Sequence, residues 1–207
     1  MKTIITFIFA IASLQAFSAD STFYFKTSDN VNLYVRVAGS GKPCLFVHGG
    51  PGSTSYYYEA MAGAPIIEQQ MRMVYYDQRG SGRSDSAANR DYSLNRMVKD
   101  MEEIRDYLKI EKWALLGHSF GGILITNYAL QHPERLTGMF YIHCTVNMQA
   151  SMQSHVDFGL KELNMNDDPA FTDATKPLME RVSMVHEKLS EKDLWYKLMY
   201  RNAWEKQ

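Results

Sequence analysis

The sequence predicts an α/β protein: a mostly parallel sheet with helices on both faces, followed by a helical cap. Three observations carry this. Short apolar runs alternate with helical stretches between Cys44 and Ile142, the pattern of strands joined by crossover helices. The runs are continuously apolar, as strands covered on both faces require. Beyond Asn147 no further buried run appears, and three helical stretches follow.

The elements follow in order. Residues 22–27 and 31–37 alternate apolar and polar around Ser28-Asp29-Asn30, which reads as a hairpin. Cys44-Leu45-Phe46-Val47 is the first buried strand and ends in His48-Gly49-Gly50-Pro51-Gly52. Residues 61–70 are expected to be helical, with Pro65 near a boundary. Met73-Val74-Tyr75-Tyr76 is a second buried strand, closed by the polar stretch 77–85. Ser93 is an N-cap for a helix to Lys109, whose apolar stripe is Met97, Met101, Ile104 and Leu108. Trp113-Ala114-Leu115-Leu116 and residues 136–142 supply two more strands, with a helix from Ile123 to Leu130 between them. Residues 151–163, 174–189 and 193–204 read as helices of the cap, and 164–169 as its loosest link. The chain therefore divides into residues 1–19, a core at 20–147 and a cap at 148–207. The sheet is expected to be incomplete on its C-terminal side.

The chain is organised around Gly117-His118-Ser119-Phe120-Gly121-Gly122. A strand, then G-x-S-x-G, then a helix is the context in which this motif presents a nucleophile. The turn is too tight for side chains at Gly117 and Gly121, and it pushes the Ser119 hydroxyl up at the strand end. The helix that follows brings a positive dipole end and free N–H groups to the same place.

Bulk properties set bounds. The chain has 207 residues, 45% of them hydrophobic, enough for one sizeable core. Its net charge of −1 argues against electrostatic nucleic-acid binding. No metal-ligand cluster or phosphate loop stands out, since Gly80-Ser81-Gly82 lacks the required spacing; no cofactor is expected. Lys2, the apolar stretch 4–17 and Ala16-Phe17-Ser18-Ala19 form a signal-peptide pattern. Export and a mature start near Asp20 are expected, without stable membrane insertion; the alternative is an uncleaved anchor. Cys44 and Cys144 fall on strands with another between them, two steps of about 4.8 Å, beyond disulfide reach. Both read as small core residues.

Three motifs, in order and spacing, give the chain a resemblance to a known family: His48-Gly49-Gly50-Pro51-Gly52, Asp77-Gln78-Arg79-Gly80-Ser81-Gly82-Arg83-Ser84, and Gly117-His118-Ser119-Phe120-Gly121-Gly122. The chain resembles the α/β-hydrolase fold and, within it, the proline iminopeptidase group of serine peptidases. Phe120 departs from the pattern, because iminopeptidases usually carry tryptophan there. The resemblance implies a serine aminopeptidase that acts on small peptides through an acyl-enzyme on Ser119. The oxyanion would be held by the backbone N–H groups of Phe120 and of the Gly49-Gly50 loop. Trp204-Glu205 resembles a cap motif in which a glutamate binds the substrate's free amine; the alternative is a solvated helix-end carboxylate.

Other polar residues read as structural. Asp77 and Arg79 are expected to pair and to hold their loop near the oxyanion glycines. His118 should point away from the serine, and His48 should orient the oxyanion loop. His132, His143, His155 and His186 lie at helix or strand ends or on the cap. The order for this fold is Ser, then Asp or Glu, then His. After Cys144 the chain reads as cap, and Cys144-Thr145-Val146-Asn147 holds no carboxylate. The triad acid and base are therefore not expected within these residues, and the chain alone is expected to be catalytically silent. Two readings compete with the aminopeptidase: a general esterase or amidase of the same fold, and an inactive fragment.

Overall fold

The computed structural model describes residues 20–166 and 168–199. Six strands form one sheet: β1 (Ser21–Lys26), β2 (Asn32–Ala38), β3 (Lys42–Val47), β4 (Met71–Tyr76), β5 (Trp113–His118) and β6 (Leu136–Ile142), in the order β1-β2-β4-β3-β5-β6. The first hairpin pairs antiparallel with β4, whereas β4-β3-β5-β6 are parallel. The helices of the core are α1 (Tyr56–Glu59), α2 (Ala64–Glu68), α3 (Leu94–Tyr107) and α4 (Gly121–Gln131). The expected hairpin, the parallel strands and the Ser93 cap are all present, the Ser93 side chain accepting from the Arg96 N–H.

The period of two along each buried strand builds two cores. Leu45, Val47, Val74, Trp113 and Leu115 face α3 and α4, where Met97, Met101, Ile104, Leu108 and Leu124 meet them. Cys44, Phe46, Met73, Tyr75, Ala114 and Leu116 face the other way, towards Tyr58 of α1 and Ile67 of α2. A continuous apolar run is thus two alternating faces, each covered.

The helix expected over residues 61–70 is a correction. Only the short helix α2, Ala64–Glu68, stands there, and a separate short helix, α1, precedes it at Tyr56–Glu59. Gly63 and Pro65 restart the helix rather than sustain it, and Ser55, ahead of α1, is held by a carboxylate from another loop. The cap also differs in its bounds. It comprises α5 (Met148–Leu163), α6 (Pro169–Thr172), α7 (Leu178–Glu191) and α8 (Tyr196–Met199). Pro177 sits at the N-cap of α7 and delays its start beyond residue 174. Val156, Leu160, Leu163, Phe171, Val182, Val185 and Leu189 make a separate cap core. Among the described residues β6 has a partner on one side only, and Met139, Phe140 and Tyr141 are exposed. The proposed signal segment and Glu205 lie outside the described residues.

Candidate active site

The site is built by the loops that follow β3, β5 and β6. Ser119 has φ +52°, a left-handed conformation that a residue with a Cβ adopts only at a cost. Space explains the flanking glycines. A Cβ on Gly121 would lie 2.1 Å from the Val47 carbonyl oxygen, and one on Gly117 would meet Ile125 and the Gly121 backbone. The elbow is also tied to the end of β6, because the Ser119 N–H donates to Ile142 O at 3.3 Å and Thr145 N–H donates to Ser119 O at 3.1 Å.

The first oxyanion candidate lies against the serine. A Cβ on Gly49 would fall 2.7 Å from the Ser119 Cβ, so only glycine lets this backbone approach so closely. Gly50 has φ +118°. Phe120 is the N-cap of α4, and its N–H is among those a helix leaves without an internal acceptor. Gly50, Phe120 and Ser119 share one cavity of about 620 Å³ with Pro51, His143 and Cys144. Such a volume suits a small-molecule ligand.

His48 braces this loop. It is fully buried, and its Nε2 accepts from the Gln78 N–H at 2.9 Å. Nδ1 therefore carries the proton and donates to Gly49 O at 2.7 Å. Burial lowers its pKa, in keeping with a neutral ring. His118 is not hydrogen-bonded to the serine; its Nδ1 is bonded to Tyr57 Oη at 2.6 Å. Both histidines serve structure, as the sequence reading expects.

The pairing expected between Asp77 and Arg79 is not found. Arg79 reaches Asp100 of α3 at 2.6 Å and Asp29 of the first hairpin turn at 2.9 Å. Asp77 accepts from Arg83 Nε at 2.8 Å, from the Ser55 N–H at 2.7 Å and from Thr54 Oγ1 at 3.0 Å. The two side chains thus engage different parts of the fold, and Asp77 fixes the chain at Ser55, just past Gly49 and Gly50.

Burial would raise the Asp77 pKa, but hydrogen bonds from Arg83 and Ser55 outweigh it and hold the carboxyl at about 2. Arg83 in turn lies over the Tyr34 ring and bonds Glu59 at 2.7 Å.

Cys144 is a further correction. Cys44 is fully buried, but Cys144 is only half-buried at the cavity wall, its thiol 3.0 Å from Gly117 O. Both thiols are free. Sequence reasoning also missed what the cap contributes. Met148, Ser151, Met152 and His155 of α5 and Met179 of α7 complete the cavity. The spacing 148, 151, 152, 155 is one helical face, a signal that was readable. His143 and His155 thus reach the same cavity as Ser119, yet among the described residues no side chain is hydrogen-bonded to the Ser119 hydroxyl.

These features define a class. A model of the alpha/beta hydrolase fold family matches residues 42–206, and the chain belongs to that family. Among its relatives, a proline iminopeptidase of Arabidopsis thaliana is 29% identical over 189 residues, which cover 87% of this chain and 48% of that protein. A proline iminopeptidase of Xylella fastidiosa is 31% identical over 182 residues, 85% of this chain and 57% of that one. The chain therefore spans about half the length of these relatives. The solved structure of a proline iminopeptidase-related protein from Thermus thermophilus shares the fold, with a TM-score of 0.62 at 22% identity, over 89% of this chain and 72% of that chain.

Proposed function

We propose that the protein is a serine hydrolase, and specifically an aminopeptidase that releases N-terminal proline or another small residue from short peptides. The observation that carries this is Ser119. It is held at φ +52° in the wall of a cavity it shares with Gly50 and Phe120. The Ser119 Oγ would bond to the substrate carbonyl carbon as its proton leaves, and the carbonyl oxygen would take the charge between the Phe120 and Gly49-Gly50 N–H groups. Collapse would break the C–N bond and release the amine with a proton. Water would then cleave the acyl-enzyme. The names of the relatives in Arabidopsis and Xylella support the aminopeptidase reading. Glu205 is proposed to bind the substrate's ammonium.

The proton of Ser119 needs an acceptor, and none is hydrogen-bonded to it among the described residues. We therefore propose that residues 1–207 alone do not turn over. A second reading, a general esterase or amidase, is favoured by the apolar share of the wall, where Phe120, Met148, Met152, Met179 and Leu198 face the cavity. We further propose export through residues 1–19. Among the described residues no helix is long and apolar enough to cross a membrane.

The test is hydrolysis by the protein expressed from its complete reading frame, on L-prolyl and L-alanyl arylamides against short acyl esters. The aminopeptidase reading expects arylamide turnover that Ser119→Ala lowers by about 10⁴-fold or more in kcat. Near-normal turnover by that variant contradicts it, and ester cleavage without arylamide cleavage favours the second reading.

A further inference from the structure

The cavity roof is built differently from its floor. The floor is backbone and short side chains: Gly50, Ser119, Cys144 and Thr145. The roof, which also holds Ser151, His155 and Leu198, is rich in thioethers. Met148 and Met152 come from one face of α5, and Met179 from the start of α7. The other face of α5 is fixed. Val156, Leu160 and Leu163 are buried in the cap core, and a Cβ on Gly159 would lie 2.2 Å from Val185 Cγ1, so α5 and α7 meet closely there. The helices are thereby seated; Met152 packs against this core and lines the cavity, while Met148 and Met179 line the cavity without being part of that packing. Thr145 Oγ1 of the floor and Ser151 Oγ of α5 are occupied with each other at 2.6 Å. Met179 is 57% exposed, so its thioether is not enclosed by packing on every side.

Methionine is unbranched, has three rotatable side-chain bonds and packs against many shapes; surfaces rich in it bind broadly. The geometry points to Met148, Met152 and Met179 as the specificity-determining residues of this site: a deformable pocket that selects the released residue for being apolar and not for its shape. The inference rests on the proposed aminopeptidase reading, in which the side chain of the first substrate residue enters the cavity above Ser119. Proline, leucine and phenylalanine side chains should all fit, because thioethers swing aside or close in to keep contact. A charged side chain would exchange water for apolar surface and be refused.

The pocket can be tested without turnover. The 207-residue chain carrying Ser119→Ala is labelled with [13C-methyl]methionine, and the three roof signals are assigned by single Met→Leu variants. It is titrated with the amides of L-proline, L-leucine, L-phenylalanine and L-lysine. The first three should shift the signals of Met148, Met152 and Met179 with dissociation constants within about 5-fold of one another, and L-lysinamide should bind about 10-fold or more weakly. Stiffening the roof with Met152→Val and Met179→Val should widen the spread among the three apolar amides to about 10-fold or more. The control Met139→Leu, on β6, should leave all constants unchanged. Absence of shifts at the three roof methyls, strong preference of the unaltered roof for one apolar amide, or equal binding of L-lysinamide each overturns the inference. Because the nucleophile has been removed, these outcomes do not depend on whether Ser119 reacts.

Discussion

The loops that follow β4 and β5 flank the same strand, β3, and carry opposite kinds of chemistry. The first holds Asp77, Arg79 and Arg83, and every one of these charges is answered: Asp77 by Ser55, Thr54 and Arg83, Arg79 by Asp29 and Asp100. The second has no charge at Ser119, only a hydroxyl to which no described side chain is bonded, on a backbone held at φ +52°. The difference teaches that charge density is a poor guide to reactivity. A group whose bonding capacity is used up serves the fold, and a group left unsatisfied at a cavity is the one available to a substrate.

This contrast can be broken by mutation. The largest effect is expected at Asp77. Asp77→Ala leaves Arg83 and the Ser55 N–H without their acceptor, and losing one partner of a buried pair costs about 3–5 kcal/mol. Chemical denaturation checks this, and a loss below about 1 kcal/mol would show that the charged loop is not a structural hub.

Next comes Gly121→Ala. Its Cβ would be forced against Val47 O at 2.1 Å, with an expected cost of about 1–3 kcal/mol as the elbow shifts. A neutral result would mean that the elbow gives way without strain.

A smaller effect of opposite sign separates the loops further. Ser119→Gly should be more stable than Ser119→Ala by about 1 kcal/mol, because glycine relieves the left-handed backbone and alanine does not. Equal unfolding midpoints would contradict strain at Ser119.

The smallest expected effect is in pH dependence, where the charged loop and the cap should fail in different ranges. Asp77 is held at about 2 against an ordinary 3.8. A depressed carboxyl contributes stability above its unfolded value, and that contribution is lost as pH falls through about 2. His155 and His186 lie 3.1 Å apart between α5 and α7. Burial lowers both pKa values, and for His186 the charge on His155 lowers it further. A base with a depressed pKa takes up protons on unfolding, so its contribution is present above the unfolded value of 6.5 and is lost as pH falls below it. Cap unfolding followed by Trp195 fluorescence, which sits 4.3 Å from His186, should begin as pH falls below 6.5, where the contribution of buried His48 in the core is also lost, and the Asp77 contribution should be lost in a separate step at lower pH. His155→Gln should flatten the first transition. Coincident transitions would show that the cap and core titrate as one unit.

Much of this was legible in the sequence, because strands and the elbow are written locally. Cys44-Leu45-Phe46-Val47 and Trp113-Ala114-Leu115-Leu116 are apolar enough to name their own burial, and the glycines around Ser119 are demanded by space within a few residues. What sequence did not give is choice of partner. Asp77 and Arg79 are two residues apart, yet Arg79 finds Asp29 and Asp100, because the first hairpin turn and α3 converge on it. Likewise α1 begins where Asp77 holds Ser55, a contact across 22 residues. The methionine face of α5 has helical spacing, but only the fold shows that this face looks towards Ser119.

The most direct test concerns the serine itself. Ser119 is proposed as the nucleophile, and no described side chain is hydrogen-bonded to its hydroxyl. A fluorophosphonate probe with peptide mapping reads both halves of that claim. The protein from the complete reading frame should be labelled at Ser119, and residues 1–207 alone should not be labelled stoichiometrically. Labelling of the complete protein at another serine, or stoichiometric labelling of Ser119 in the 207-residue chain with His143 or His155 serving as its base, would contradict the account.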